Sequence, residues 1–120
     1  MNIYLDDERV PKTEKDWVII RDANSLINLI IHLGTLPDHI SFDHDLGENV
    51  KTGYDVVKSI EYHLLSDLIN WNPRFTFTVH SANPVGAKNI QSHLDNLINH
   101  MNHTQGKSNG EITVSKGLPI

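Results

Sequence analysis

Ile40-Ser41-Phe42-Asp43-His44-Asp45-Leu46-Gly47 passes from an apolar run into acid, imidazole, acid and a glycine turn. Ile40 and Phe42 alternate with Ser41 and Asp43, the period of a strand with one apolar and one polar face. Two carboxylates and a histidine within three residues repel one another unless a metal or a cationic group offsets them. The stretch therefore reads as a strand that ends in the floor of a site. His39–Asp43 is the expected strand, and Gly47-Glu48-Asn49-Val50-Lys51 the loop after it.

Strands and helices alternate on both sides of this stretch. Upstream, Asn2–Leu5 and Trp17–Ile20 read as strands, joined by a polar segment broken at Pro11. Ala23–Leu33 reads as a helix with Asp22 or Asn24 at its cap, a stripe of Leu26, Ile27, Ile30 and Leu33, and Gly34 as its stop. Downstream, a helix is expected from Gly53 to about Asn70 along Val57, Ile60, Leu64 and Leu68, and then a strand over Arg74–His80. Asn83 caps and Pro84 opens a third helix, with Ile90, Leu94, Leu97, Ile98 and Met101 on its apolar side. His103–Gly110 reads as a polar loop and Glu111–Ser115 as a fifth strand.

This order implies an α/β domain with a parallel five-stranded sheet in the order 2-1-3-4-5. Sites in such sheets lie at the carboxyl ends of strands, where Asp6, Asp7, Asp43, His44, Asp45, His80 and Ser81 all fall. The strands alternate cleanly, with Phe75, Phe77 and Val79 against Thr76, Thr78 and His80 in the fourth. A sheet covered on both sides would be apolar throughout. Three helices packed on one face are therefore expected, with the other face open to water or to a partner, and alternation assigns Asp6, Asp43 and His80 to that polar side.

The 120 residues imply a single domain, 1–120, and carry a net charge of −5 with 38% apolar residues. The charge argues against binding along an extended nucleic-acid backbone. No apolar run approaches the roughly 18 residues of a membrane span. The absence of cysteine excludes disulfides and thiolate metal sites. The strand-like start leaves no room for a leader, which implies a cytoplasmic protein (the host's cytoplasm if phage-encoded).

The pattern resembles a response-regulator receiver domain of flavodoxin-like fold. Asp6-Asp7 is similar to the acidic pair after a receiver's first strand. Asp45 and Gly53 match the spacing from its phospho-acceptor to a glycine. Ser81-Ala82 stands after the fourth strand, and Lys116 falls where a receiver has a lysine after the fifth. A receiver's first and last helices have no counterpart. More specifically, Leu5-Asp6-Asp7-Glu8-Arg9-Val10-Pro11, the stretch Ser41 to Gly47, and His80-Ser81-Ala82-Asn83-Pro84-Val85-Gly86 resemble the cyclic-phosphate processing receiver family. That resemblance implies action on a cyclic phosphate, on a nucleotide or an RNA end.

The residues suit metal-assisted phosphoester hydrolysis. Asp6, Asp7, Asp43 and Asp45 are hard oxygen ligands for Mg²⁺ or Mn²⁺. His44 and His80 are candidate acid and base, with Asp43 and Asp45 beside them. Arg9, Ser81, Asn83 and Lys116 are candidate phosphate binders. The bland readings are a solvated turn at Asp6-Asp7, an Asx turn at Asp43–Asp45 and a helix cap at Asn83. His32, His39, His63, His93, His100 and His103 read as surface or helix residues. Receiver spacing selects Asp45 and strand alternation Asp43 as the main site carboxylate. Two other functions fit the same residues: a non-catalytic binder of a host protein or signalling nucleotide, with a protein partner or second copy on the open sheet face, and a phospho-accepting receiver.

Overall fold

Four parallel strands lie side by side in the order β2-β1-β3-β4 in the computed structural model, which describes residues 1–108. They are β1 (Asn2–Leu5), β2 (Trp17–Ile20), β3 (His39–Phe42) and β4 (Thr76–Val79). The helices are α1 (Ala23–Leu33), α2 (Gly53–Leu65) and α3 (Pro84–Ser108). The expected fifth strand, Glu111–Ser115, and Lys116 lie outside the described residues. Among those described the sheet has four strands rather than five.

Register aligns the strands in rows across the sheet. Ile3 stands beside Val18 and Ile40, and Ile40 beside Phe77; two residues on, Leu5 stands beside Ile20 and Phe42, and Phe42 beside Val79. These rows face the helices. Ile3, Leu5, Ile40 and Phe42 are fully buried in one core with Leu26 and Ile30 of α1, Val57 and Ile60 of α2, and Ile90 and Leu94 of α3. All three helices therefore pack on one face of the sheet, as alternation requires.

The intervening rows face away from the helices. One runs Trp17, Asn2, His39, Thr76 and the next Ile19, Tyr4, Ser41, Thr78. Thr76 and Thr78 are exposed, so no helix covers this side among the described residues. Where a receiver's first helix would lie, residues 6–16 form turns only.

The first helix and the starts of the other two fall where expected, while the C-terminal ends of α2 and α3 depart for local reasons. The Asp22 carboxylate caps α1 by accepting the Ser25 N–H at 2.8 Å, and Gly34, at φ 72°, closes it. Thr52 and Asp55 form a reciprocal capping box at the start of α2. That helix stops at Leu65, not near Asn70, because Asp67 takes a left-handed φ of 57°, and Leu68 is left 58% exposed instead of joining the stripe. Asn83 caps α3, its side-chain oxygen accepting the Gly86 N–H at 3.0 Å. This helix continues through His103 to Ser108, where a loop was expected. Polarity alone cannot end a helix that meets no proline or adequate stop signal.

Candidate active site at the carboxyl edge

One step beyond the strand ends, the open-face rows continue as Arg21, Asp6, Asp43 and His80. The Asp6 N–H donates to Ile20 (3.1 Å), Asp43 N–H to Leu5 (2.9 Å) and His80 N–H to Phe42 (2.9 Å), so sheet pairing reaches this row. Sheet geometry thus converges two acids, an imidazole and a guanidinium at one edge.

Asp6 is 1% exposed. Its Oδ1 accepts the backbone N–H groups of Glu8 (2.9 Å) and Arg9 (2.8 Å), folding the chain into a tight turn. Its Oδ2 meets Arg9 Nε at 2.9 Å and His80 Nε2 at 3.0 Å. Burial pushes the carboxyl up, but the two N–H groups, His80 and the Arg9 charge outweigh it and hold the group below the usual aspartate value. Arg21 Nη1 clamps the turn from β2, donating to the backbone oxygens of Asp6 (3.1 Å) and Arg9 (2.7 Å).

Asp43, also buried, accepts the His44 N–H at 2.8 Å on Oδ1 and Arg9 Nη2 at 3.3 Å on Oδ2. Arg9 therefore spans the two carboxylates and offsets their mutual repulsion. Gly53 permits this strand end to exist: a Cβ there would lie 1.9 Å from the Asp43 carbonyl oxygen, and the Gly53 N–H donates to His44 O at 2.8 Å. The glycine that receiver spacing counts from Asp45 thus makes its close approach to Asp43.

His80 is fixed on three sides. Its ring stacks on Tyr4, with centroids 4.2 Å apart and planes 5° from parallel. Nδ1 meets Ser41 Oγ at 2.7 Å. An ionised Asp6 only accepts, so Nε2 carries the proton and, in the neutral ring, Ser41 donates to Nδ1. A hydroxyl both donates and accepts, so Ser41 can also accept from Nδ1 when the ring carries both protons. Asp6, Asp43 and His80 each bring one ligating atom within 4.8 Å of the others.

The other expected residues form a second tier. His44 turns its Nδ1 to Asp45 Oδ1 at 2.8 Å and lays its ring on α3, where a Cβ on Gly86 would come 2.3 Å from it. The Asp45 side chain is 63% exposed and also takes Asn83 Nδ2 at 3.3 Å. The His44 contact chiefly, with Asn83 and against some burial, holds the Asp45 carboxyl below the ordinary value. Ser81 Oγ accepts the Asn83 N–H at 3.1 Å, which stiffens the start of α3. Asp7 and Asp45 line a cleft of about 590 Å³ over Asp6, Asp43 and Arg9.

Sequence reasoning missed Arg21, Ser41, Glu8 and Glu48, the last two of which also line this cleft. The row register carries the signal for Arg21 and Ser41, since each lies on the open face beside a residue of the site. Glu8 and Glu48 come from turns whose paths no periodicity describes.

The sequence model of a family described as the cyclic-phosphate processing receiver domain matches residues 1–96 of the chain. That span holds all four strands and every candidate site residue except Lys116. No curated protein and no solved structure matches the chain. No helix among the described residues is long and apolar enough to cross a membrane.

Proposed function

The chain belongs to the cyclic-phosphate processing receiver domain family, and on that premise we propose that it is a metal-assisted phosphoesterase that opens a cyclic phosphate on a nucleotide or an RNA end. The observation that carries the reading is the triad of Asp6, Asp43 and His80, three ligating atoms from three strand ends within 4.8 Å of one another. Asp6 and Asp43 supply the hard oxygen donors that Mn²⁺ and Mg²⁺ accept, and the His80 imidazole stands beside them with Nε2 left to carry a proton. The residues fit such an ion in charge as well, because Arg9 already holds a positive charge between Asp6 and Asp43 and, at 48% exposure, has room to withdraw. Asp7, on the rim, is the next candidate ligand. A bound divalent ion would supply charge neutralisation at phosphoryl oxygens and acidify a water.

In the reaction, water forms a new P–O bond, one ring P–O bond breaks, and the departing alkoxide takes up a proton. His80 moves that proton at Nε2, oriented by Ser41 and Tyr4. Arg9, turned into the cleft, binds phosphoryl oxygens through its paired N–H groups. His44, Asn83 and Ser81 hold Asp45 and the start of α3 in place at the cleft wall. A phospho-acceptor reading ranks lower: Asp43 is buried beneath Arg9, and Asp45 is engaged by His44 and Asn83.

Incubation with 2′,3′-cyclic and 3′,5′-cyclic nucleotides and cyclic-phosphate-ended RNA, with Mn²⁺, Mg²⁺ or chelator, tests the proposal. Turnover in metal that disappears in chelator and in Asp43→Asn is the expected result. Folded protein that binds Mn²⁺ and turns over none of these substrates overturns it.

A further inference from the structure

The open face of the sheet carries a second cleft, of about 370 Å³, between the strands and the 11–16 segment. Its lining differs in kind from that of the acidic cleft. Trp17 sets its ring edge-on to Tyr4 (5.6 Å, 72°) and to His39 (5.9 Å, 65°), making an aromatic corner. The Trp17 indole N–H donates to Thr13 Oγ1 at 3.2 Å, which ties the 11–16 segment to β2. Of the four charged side chains in that segment, Lys12, Glu14, Lys15 and Asp16, only the two lysines line the cleft. Lys15 Nζ lies 5.8 Å from the Trp17 ring centroid. The cleft lining thus pairs two cations with aromatic rings and holds no carboxylate.

The two clefts meet at His80. Its imidazole lines the open-face cleft, while its Nε2 reaches Asp6 in the acidic one. The hydroxyls of Ser41 and Thr78 stand beside it on the sheet floor, each bonded to a histidine nitrogen and each with further capacity to donate or accept.

We infer that this cleft binds the base and an anionic group of a nucleotide. The heterocycle stacks at the Trp17 corner, hydroxyls read its polar edge, and Lys12 and Lys15 take a phosphate. Every base has a π-face, so an aromatic corner with adjacent cations is sufficient recognition chemistry. The volume falls in the ordinary range of small-ligand pockets. Where the cyclic-phosphate reading is also accepted, on which the choice of a cyclic nucleotide as a probe rests, the shared His80 makes the cleft the base-side subsite of the same substrate.

The full chain carrying Trp71→Phe has Trp17 as its single indole. Titrating it in chelator with 2′,3′-cyclic AMP, 5′-AMP, adenosine and ribose 5-phosphate separates binding from metal and from turnover. Saturable quenching of Trp17 emission by the first three and not by ribose 5-phosphate is expected. Lys12→Gln/Lys15→Gln weakens 2′,3′-cyclic AMP and 5′-AMP roughly fivefold to tenfold and leaves adenosine unchanged. Trp17→Leu, followed by calorimetry, weakens all three by roughly five- to a hundredfold. Trp17 emission that responds to no ligand overturns the inference, as does an equal response to ribose 5-phosphate. A Trp17 signal that follows protein concentration alone also overturns it, and makes the face a contact between copies of the chain. Because chelator is present throughout, a failure here leaves the phosphoesterase proposal standing, and a failure of turnover leaves this binding measurable.

Discussion

The two faces of the sheet are built from the same four strands and are closed by different means. On the helix side, Ile3, Leu5, Ile40 and Phe42 lie at 0% exposure among Leu, Ile and Val side chains, and shape alone completes the fit. On the open side, Asp6, Ser41, Asp43 and His80 are closed by hydrogen bonds and charge and Tyr4 by stacking on His80, each to a specific partner. Tyr4, Asp6, Ser41 and Asp43 are each one position from a residue of the first group, and His80 follows Val79, which packs against the same core. Strand parity therefore separates folding from chemistry, and adjacent substitutions should have opposite consequences.

The sharpest break of that comparison is at Phe42 and Asp43. Phe42→Ala empties a fully buried site in the core and should cost about 3–5 kcal/mol, read as a fall in urea midpoint. That is a large part of the roughly 5–15 kcal/mol of a typical domain. Asp43→Asn keeps an oxygen for the His44 N–H and relieves repulsion with Asp6, so stability from urea unfolding should change by less than about 1 kcal/mol. Its effect should fall on turnover of the cyclic-phosphate panel, by roughly 10²-fold or more. An Asp43→Asn protein that loses its fold with Phe42→Ala would place the acidic row among the structural elements instead.

The next tests are at His80 and Ser41, within the open side. His80→Gln should cost roughly 10²-fold in turnover with the fold retained. Ser41→Ala, which removes only the group that orients His80, should cost roughly 10-fold and change the pH profile of turnover. Equal losses would show that Ser41 does more than hold the ring.

Gly53→Ala crosses the boundary between the faces. Its new Cβ would strike the Asp43 carbonyl, which is backbone and cannot rotate away. A loss of about 1–3 kcal/mol in stability is expected, together with weaker Mn²⁺ binding by calorimetry, because α2 or the end of β3 must shift.

Much of this was legible in the sequence. The bounds of β1, β2 and α1 follow from alternation and from Asp22 and Gly34, where local signals agree with the tertiary fold. The side of the sheet taken by Asp6, Asp43 and His80 was legible for the same reason. The choice between Asp43 and Asp45 was not, because counting from Gly53 measures chain length, whereas the glycine is needed where α2 meets the backbone of Asp43. Leu68 keeps the helical period yet stands outside α2, since the left-handed turn at Asp67 ends the helix first. Arg9 as a bridge between two carboxylates depends on the turn at Asp6, which periodicity does not describe.

The smallest expected effect is at the neighbours His39 and Ile40. Ile40 is fully buried on the helix side, so Ile40→Val should cost about 0.5–1.5 kcal/mol at every pH. His39 lies on the open side with its ring nitrogens on the Thr76 and Thr78 hydroxyls. Burial, aided by the Lys15 charge, holds its pKa below the usual imidazole value. Between that lowered value and about 6.5 the unfolded chain binds more protons at this position than the folded one. Stability from His39 is thus present above about pH 6.5 and is lost as pH falls through the folded value. Urea unfolding of wild type and His39→Gln at a series of pH values should show the wild type losing ground to the variant as the pH drops, while the Ile40→Val difference stays flat. A flat His39 difference would mean that the open face solvates this imidazole as water does, and the two sides of the sheet would then differ in shape but not in their response to protons.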